Sequence, residues 1–172
     1  MKLKHLGPIL IALLFISAAR NSEAQLGASA AFTAARLSSP RTVDTPTTIY
    51  GPTLSLYYQK GTFLALGGDV RASFLNASGV SLNTIDLGPR AALKLHPLPL
   101  QVYAEALGGF DSFTPRTGAS NSHHFDYQLL GGLDATIFPR LDWRVLEYAY
   151  TGSTDSFHAG SFSTGLVFRI PI

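Results

Sequence analysis

The chain has 172 residues, with 13 Lys and Arg against 11 Asp and Glu, five His, no Cys and a formal net charge of +2. The lack of cysteine excludes disulfides, thiolate metal sites and a cysteine nucleophile. Charge so close to balance offers no basic stripe for nucleic acid and no polybasic tail for anionic lipid, so no nucleic-acid partner is expected.

The first element is N-terminal. Lys2, Lys4 and His5 precede an apolar run from Leu6 to Ala19, and Arg20-Asn21-Ser22-Glu23-Ala24-Gln25 follows. A basic start, a short apolar middle and small residues at Ser22 and Ala24 predict a secretory signal peptide over 1–24, cut after Ala24. The apolar run is too short to cross a hydrocarbon core of about 30 Å as a helix. The signal takes Lys2, Lys4, Arg20 and Glu23 with it, so 13 bases and 11 acids become ten of each. The remaining 25–172 is the right size for one domain.

No later segment reaches 18 consecutive apolar residues, so no transmembrane helix is expected. What recurs instead is alternation of polar and apolar residues with period two, the mark of strands with one face of each kind. The first strand, 26–37, is Ala-rich, with Ser29 and Thr33 opposite Leu26 and Phe32. In 48–59, Thr53, Ser55 and Gln59 oppose Leu54, Leu56 and Tyr58. In 63–75, Asp69, Arg71 and Ser73 oppose Leu66, Val70, Ala72 and Phe74. In 81–95, Asp86, Arg90 and Lys94 oppose Ile85, Leu87, Pro89, Ala91 and Leu93.

The same pattern continues. In 99–112, Gln101, Tyr103, Glu105 and Asp111 oppose Leu100, Val102, Ala104, Ala106 and Phe110. In 125–138, Asp126, Gln128, Asp134 and Thr136 oppose Tyr127, Leu129, Leu133, Ala135 and Ile137. In 142–151, Leu146, Tyr148 and Tyr150 face away from Val145 and Glu147. Strict alternation would put Arg144 on the apolar side of that strand, so it should lie at a membrane rim or follow a bulge. The last strand, 158–170, sets Ser161, Ser163 and Arg169 against Phe162, Thr164, Leu166, Phe168 and Ile170.

Eight such strands are each long enough to cross a bilayer when tilted, which takes about 9–11 residues. An even count without helices predicts an all-β fold, an eight-stranded antiparallel up-and-down barrel with no unpaired edge. Sidedness follows from the charges. The in-strand charges Asp69, Arg71, Asp86, Arg90, Lys94, Glu105, Asp111, Asp134, Glu147 and Arg169 all share the polar face. Lys and Glu, usual on a soluble surface, number only two each after residue 24. The lumen of a barrel this size is filled by its own side chains, and acids and bases in balance there would pair. The polar face therefore reads as a charged lumen network and the apolar face as the surface toward lipid.

The connections agree with this sidedness. Those at 59–61, 96–98 and 139–141 are short, whereas those about 38–47, 76–80, 112–124 and 152–157 are expected to be extracellular loops. Tyr58, Phe63, Phe138, Trp143 and Phe168 near the short turns, and Tyr50, Phe110, Tyr127, Tyr148 and Tyr150 near the loops, predict two interfacial girdles. With signal, strands and the closing stretch Phe162-Ser163-Thr164-Gly165-Leu166-Val167-Phe168-Arg169-Ile170 in view, residues 25–172 resemble the small outer-membrane β-barrel family of the OmpA transmembrane domain and the OmpX-like proteins. Family members often end on an aromatic residue, whereas this chain runs on to Pro171-Ile172.

The resemblance implies a bacterial outer-membrane protein with a structural or surface-interaction role. Its partners would be outer-membrane lipid and lipopolysaccharide, the barrel-assembly machinery, and an extracellular ligand met through the loops. Two alternatives stand beside it: a narrow porin-like channel through the charged lumen, and a soluble lipocalin-like periplasmic binder, which needs the opposite sidedness. No catalytic residue, cofactor or metal is expected. His158 and Ser161 fall on opposite faces of one strand and would not meet as base and nucleophile. His123-His124 beside Asp126 lacks the further ligands a metal site needs. The pairs Gly67-Gly68, Gly108-Gly109 and Gly131-Gly132 follow no strand–loop–helix order, so they read as room for large lumen neighbours such as Tyr103 and not as a phosphate cradle.

Overall fold

The computed structural model describes residues 24–38, 48–77, 79–95, 97–114, 122–154 and 158–172. The expected signal peptide lies outside the described residues, except for Ala24. The strands are β1 (Ala24–Ser38), β2 (Thr48–Lys60), β3 (Leu64–Ala77), β4 (Val80–Lys94), β5 (Leu100–Thr114), β6 (Ser122–Phe138), β7 (Leu141–Ser153) and β8 (His158–Pro171). Each pairs antiparallel with its neighbour in sequence, and β1 pairs β8 from Gln25↔Pro171 to Ser38↔His158, which closes the barrel. Closure gives every strand two partners, a requirement where lipid offers no hydrogen bonds to a free edge.

The exterior decides sidedness. Ile85, Leu87 and Phe110 are 64%, 65% and 67% exposed, whereas Asp86, Arg90 and Glu147 on the opposite face are 1% exposed or less. A soluble binder would show the reverse, so the lipocalin-like alternative is excluded and the apolar exterior is a lipid-facing surface. Both girdles lie on it: Tyr58, Phe63, Phe138, Trp143 and Phe168 toward the short turns, Tyr50, Phe110, Tyr127, Tyr148 and Tyr150 toward the loops.

At the loop end the pattern inverts. Leu37, Ile49, Leu75, Val80, Leu82 and Phe113 point inward with Ala35 and Ala159, forming an apolar cluster inside the barrel. Their chain neighbours Arg36, Thr48, Asn76 and Asn83 point outward and are exposed. This is the arrangement of a water-soluble barrel, and it means the strands run past the membrane into water at that end.

The extension corrects the expected loops. The segment 76–80 is not an open loop, because Asn76 pairs Ser81 and Ala77 pairs Val80. The loop 112–124 shrinks to 115–121, since Phe113 pairs Ser122 and Asp111 pairs His124. The remaining loop segments 39–47, 115–121 and 155–157 lie outside the described residues.

β7 carries the one departure from simple alternation that the sequence signals. Asp134 pairs Arg144 while Leu133 pairs Leu146, so Val145 is an extra residue and the register shifts there against both neighbours. Of the two readings for Arg144, the bulge holds and the membrane rim does not: Arg144 is 1% exposed and faces the lumen with Glu147. Val145 sits in the bulge and is partly buried. A bulge frees backbone groups, which is costly against lipid. Here Thr164, on the outward face of β8, donates to the Arg144 carbonyl at 2.9 Å and accepts from Trp143 Nε1 at 3.2 Å.

Candidate functional site

The lumen is built by the odd or even residues of each strand, so its chemistry can be followed strand by strand. β3 supplies Asp69 and Arg71, β4 Asp86, Arg90 and Lys94, β5 Glu105 and Asp111, β6 Asp134, β7 Glu147 and β8 Arg169. The bulge adds Arg144, and Asp126 and Asp142 complete the set of charged residues that face inward among the described residues.

These side chains fall into three groups. The central group joins three arginines to four acids. Arg71 grips Glu147 with both terminal nitrogens, at 2.7 and 2.9 Å, and reaches Glu105 at 3.3 Å. Arg90 pairs with Glu105 and lies 3.7 Å from Asp134 and 4.0 Å from Asp69. Arg144 meets Asp134 and Glu147, each at 3.1 Å. The Tyr103 hydroxyl donates to Glu147 at 2.6 Å. The Arg90 guanidinium is held between the rings of Tyr57 and Tyr103, 4.1 and 4.0 Å from their centroids, and Arg144 lies 4.8 Å from the Tyr103 ring. A Cβ at Gly27 would strike the Tyr57 ring and one at Gly132 the Tyr103 ring, so these glycines make the room both tyrosines need.

The second group is acidic and nearer the loops. Gly109 of β5 pairs Asp86 on one side and Asp126 on the other, so both carboxyls flank a residue with no side chain. Asp111 lies two residues further along β5, its Oδ1 3.7 Å from His124 Nδ1. The third group is at the short-turn end, where Arg169 pairs with Asp142 at 2.7 Å and Lys94 donates to the Gly61 carbonyl at 3.1 Å. The ten charges read from the sequence therefore all face inward, but only Asp69, Arg71, Arg90, Glu105, Asp134 and Glu147 belong to the central group.

Between the centre and the loop-end apolar cluster is a layer of hydroxyls. Thr33 contacts Thr53 and Ser163, both at 2.8 Å, and Ser29 contacts Ser55 at 2.7 Å. The space left there is about 20 Å³, close to the size of one water. The larger cavity, of about 510 Å³, lies at the short-turn end.

The other constellations do not assemble. His158 is exposed on the outside and contacts the Tyr150 hydroxyl at 2.8 Å, while Ser161 is buried in the lumen. No group of three or more His, Asp or Glu among the described residues is arranged to hold a metal ion.

No family model matches the chain, and no curated protein matches it. Solved structures do. The barrel is similar to Neisserial surface protein A, with a TM-score of 0.61 at 18% identity over 83% of this chain and 96% of that one. It is similar to Ail, the attachment invasion locus protein of Yersinia pestis, with a TM-score of 0.60 at 14% identity over 86% and 99%. It also matches the outer membrane protein OprG from Pseudomonas aeruginosa, with a TM-score of 0.53 at 7% identity over 87% and 96%. The chain has the fold of the eight-stranded outer-membrane β-barrels. At these identities the likeness is one of architecture, and the lumen residues described above are this chain's own. An outer-membrane barrel needs a lipid-facing exterior and a closed strand order, and both are present.

Proposed function

We propose that this chain is an integral outer-membrane β-barrel with a closed lumen, serving as a structural or surface-interaction element and not as a pore. The observation that carries the reading is the stacking of two seals. The apolar cluster of Leu37, Ile49, Leu75, Leu82 and Phe113 fills the loop end, and the arginine–acid–tyrosine group fills the centre. A hydrated ion would have to break buried ion pairs at the centre and then cross a dry layer, and each is costly. The 510 Å³ cavity at the short turns is a vestibule in front of the first seal.

The surface-interaction part of the reading rests on the long connections at one end and on the names of two proteins with the same fold, a surface protein and an attachment protein. Planar-bilayer recording of the purified barrel tests the closed lumen. Silence under voltage is the expected result, and steady unitary currents that disappear with Arg71→Glu or another charge reversal in the lumen would make it a channel. The reading as a non-enzyme rests on the same lumen, where the acids of the central group are paired with arginines and His158 and Ser161 are split across the wall.

A further inference from the structure

The vestibule at the short turns is not neutral. Its wall carries Lys94, Arg140 and Arg169 and one acid, Asp142, already paired with Arg169. Hydrogen bonding adds to the imbalance. Arg90 can only donate, and its Nε gives a hydrogen bond to Gln59 Oε1 at 3.1 Å. That fixes the Gln59 amide, whose Nε2 must point the other way; it donates to Gln101 Oε1 at 3.2 Å. The Gln101 amide is fixed in turn, and its Nε2 is left with no acceptor. A donor chain thus runs from the central arginine to Gln101, a residue of the vestibule wall, and ends in a buried N–H group without an acceptor. Arg169, another residue of this wall, likewise has a buried Nε without an acceptor.

Arg140 is the third sign. It is the only non-glycine residue among the described ones with a positive φ, at 135°. It follows Pro139 in a tight turn, where the second position ordinarily takes glycine. An arginine held there against backbone preference, with its side chain on a cavity wall, is the kind of local strain that goes with a working site.

We propose that this vestibule binds a small oxyanion of the phosphate class, held by Arg140 and Arg169, with the buried Gln101 amide turning outward to donate its unpaired N–H. Guanidinium groups and an amide N–H fit a phosphate's several oxygens, and among the described residues no acid besides Asp142 lines this wall. The source is either free phosphate at the turn side of the membrane or a lipid headgroup reaching over the barrel rim.

The test is a titration of the full barrel in zwitterionic micelles with inorganic phosphate at constant ionic strength, following the Gln101 side-chain amide and Arg169 Nε by 15N NMR. A saturable shift of both, weakened at least tenfold in Arg140→Gly and in Arg140→Asn, is the expected result. Arg140→Gly relieves the positive φ and Arg140→Asn keeps a side chain no bulkier than the parent's, so both should fold at least as well and lost binding would not be lost structure. Lys60→Gln, outside the vestibule, should titrate like the parent. A response that chloride reproduces, or one that survives both Arg140 variants, overturns the proposal. Repeating the spectra without phosphate in nanodiscs of phosphatidylglycerol and of phosphatidylcholine separates the sources. A shift in the anionic lipid alone assigns the oxyanion to a headgroup, and no shift in either assigns it to the free ion.

Discussion

Glu147 takes hydrogen bonds from Arg71 and the Tyr103 hydroxyl and lies 3.1 Å from Arg144, all below 2% exposure or close to it. Its charge holds two buried guanidiniums, so Glu147→Gln leaves both under-compensated. The expected loss is about 3–5 kcal/mol, seen as a lower denaturant midpoint in micelles. The acid cluster responds in the opposite sense. Asp86 and Asp126 flank Gly109 with no arginine hydrogen-bonded to either, so Asp126→Asn relieves like-charge repulsion. It should stabilise the barrel by about 1 kcal/mol at neutral pH, and a lower midpoint would contradict this reading. The sequence exposed which charges face inward, because alternation assigns faces without knowing contacts. It did not reveal that Arg71 crosses the lumen from β3 to Glu147 on β7, or that Asp86 and Asp111 are left out. Those pairings depend on strand tilt and register, which no local pattern encodes. Tyr57 was missed because an inward tyrosine looks like one more apolar residue beside Tyr58.

At the scale of strands, the bulge in β7 and the loop-end extension are the informative features. Arg144 and Glu147 are three residues apart, which places them on opposite faces of a regular strand, and only an extra residue brings both inside. The mismatch could be read from the sequence, though not its resolution. Thr164 completes the bulge by satisfying a carbonyl that faces lipid. Thr164→Val keeps the shape and removes the donor, so it should cost about 1–3 kcal/mol in micelle unfolding. A neutral result would mean that the Arg144 carbonyl has another partner. The loop-end extension was hidden for a different reason. Leu82 and Phe113 alternate with polar neighbours as regularly as the membrane-spanning residues do, but with the faces exchanged, since water replaces lipid outside. A search for one apolar face reads such residues as loop. Phe113→Ala opens the apolar cluster and should lower stability by about 3–5 kcal/mol.

For the molecule as a whole, the described residues form a closed barrel with side chains packed at its centre and loop end and a vestibule at the short turns. Lipid meets Ile85, Leu87, Phe110 and their neighbours, water meets the loop-end collar, and the charges are turned inward against each other. The eight-strand architecture was legible because period-two patterning, short turns and girdles all report the same membrane boundary. The particular role was not, since loops and lumen contacts vary independently of that boundary. All of this requires that the apolar face meets lipid in a closed barrel. Heat-modifiability in fractionated cells tests it most directly: the protein should be found in the outer-membrane fraction, and unboiled samples should migrate differently from boiled ones on a detergent gel. A soluble protein with identical migration before and after boiling would contradict it.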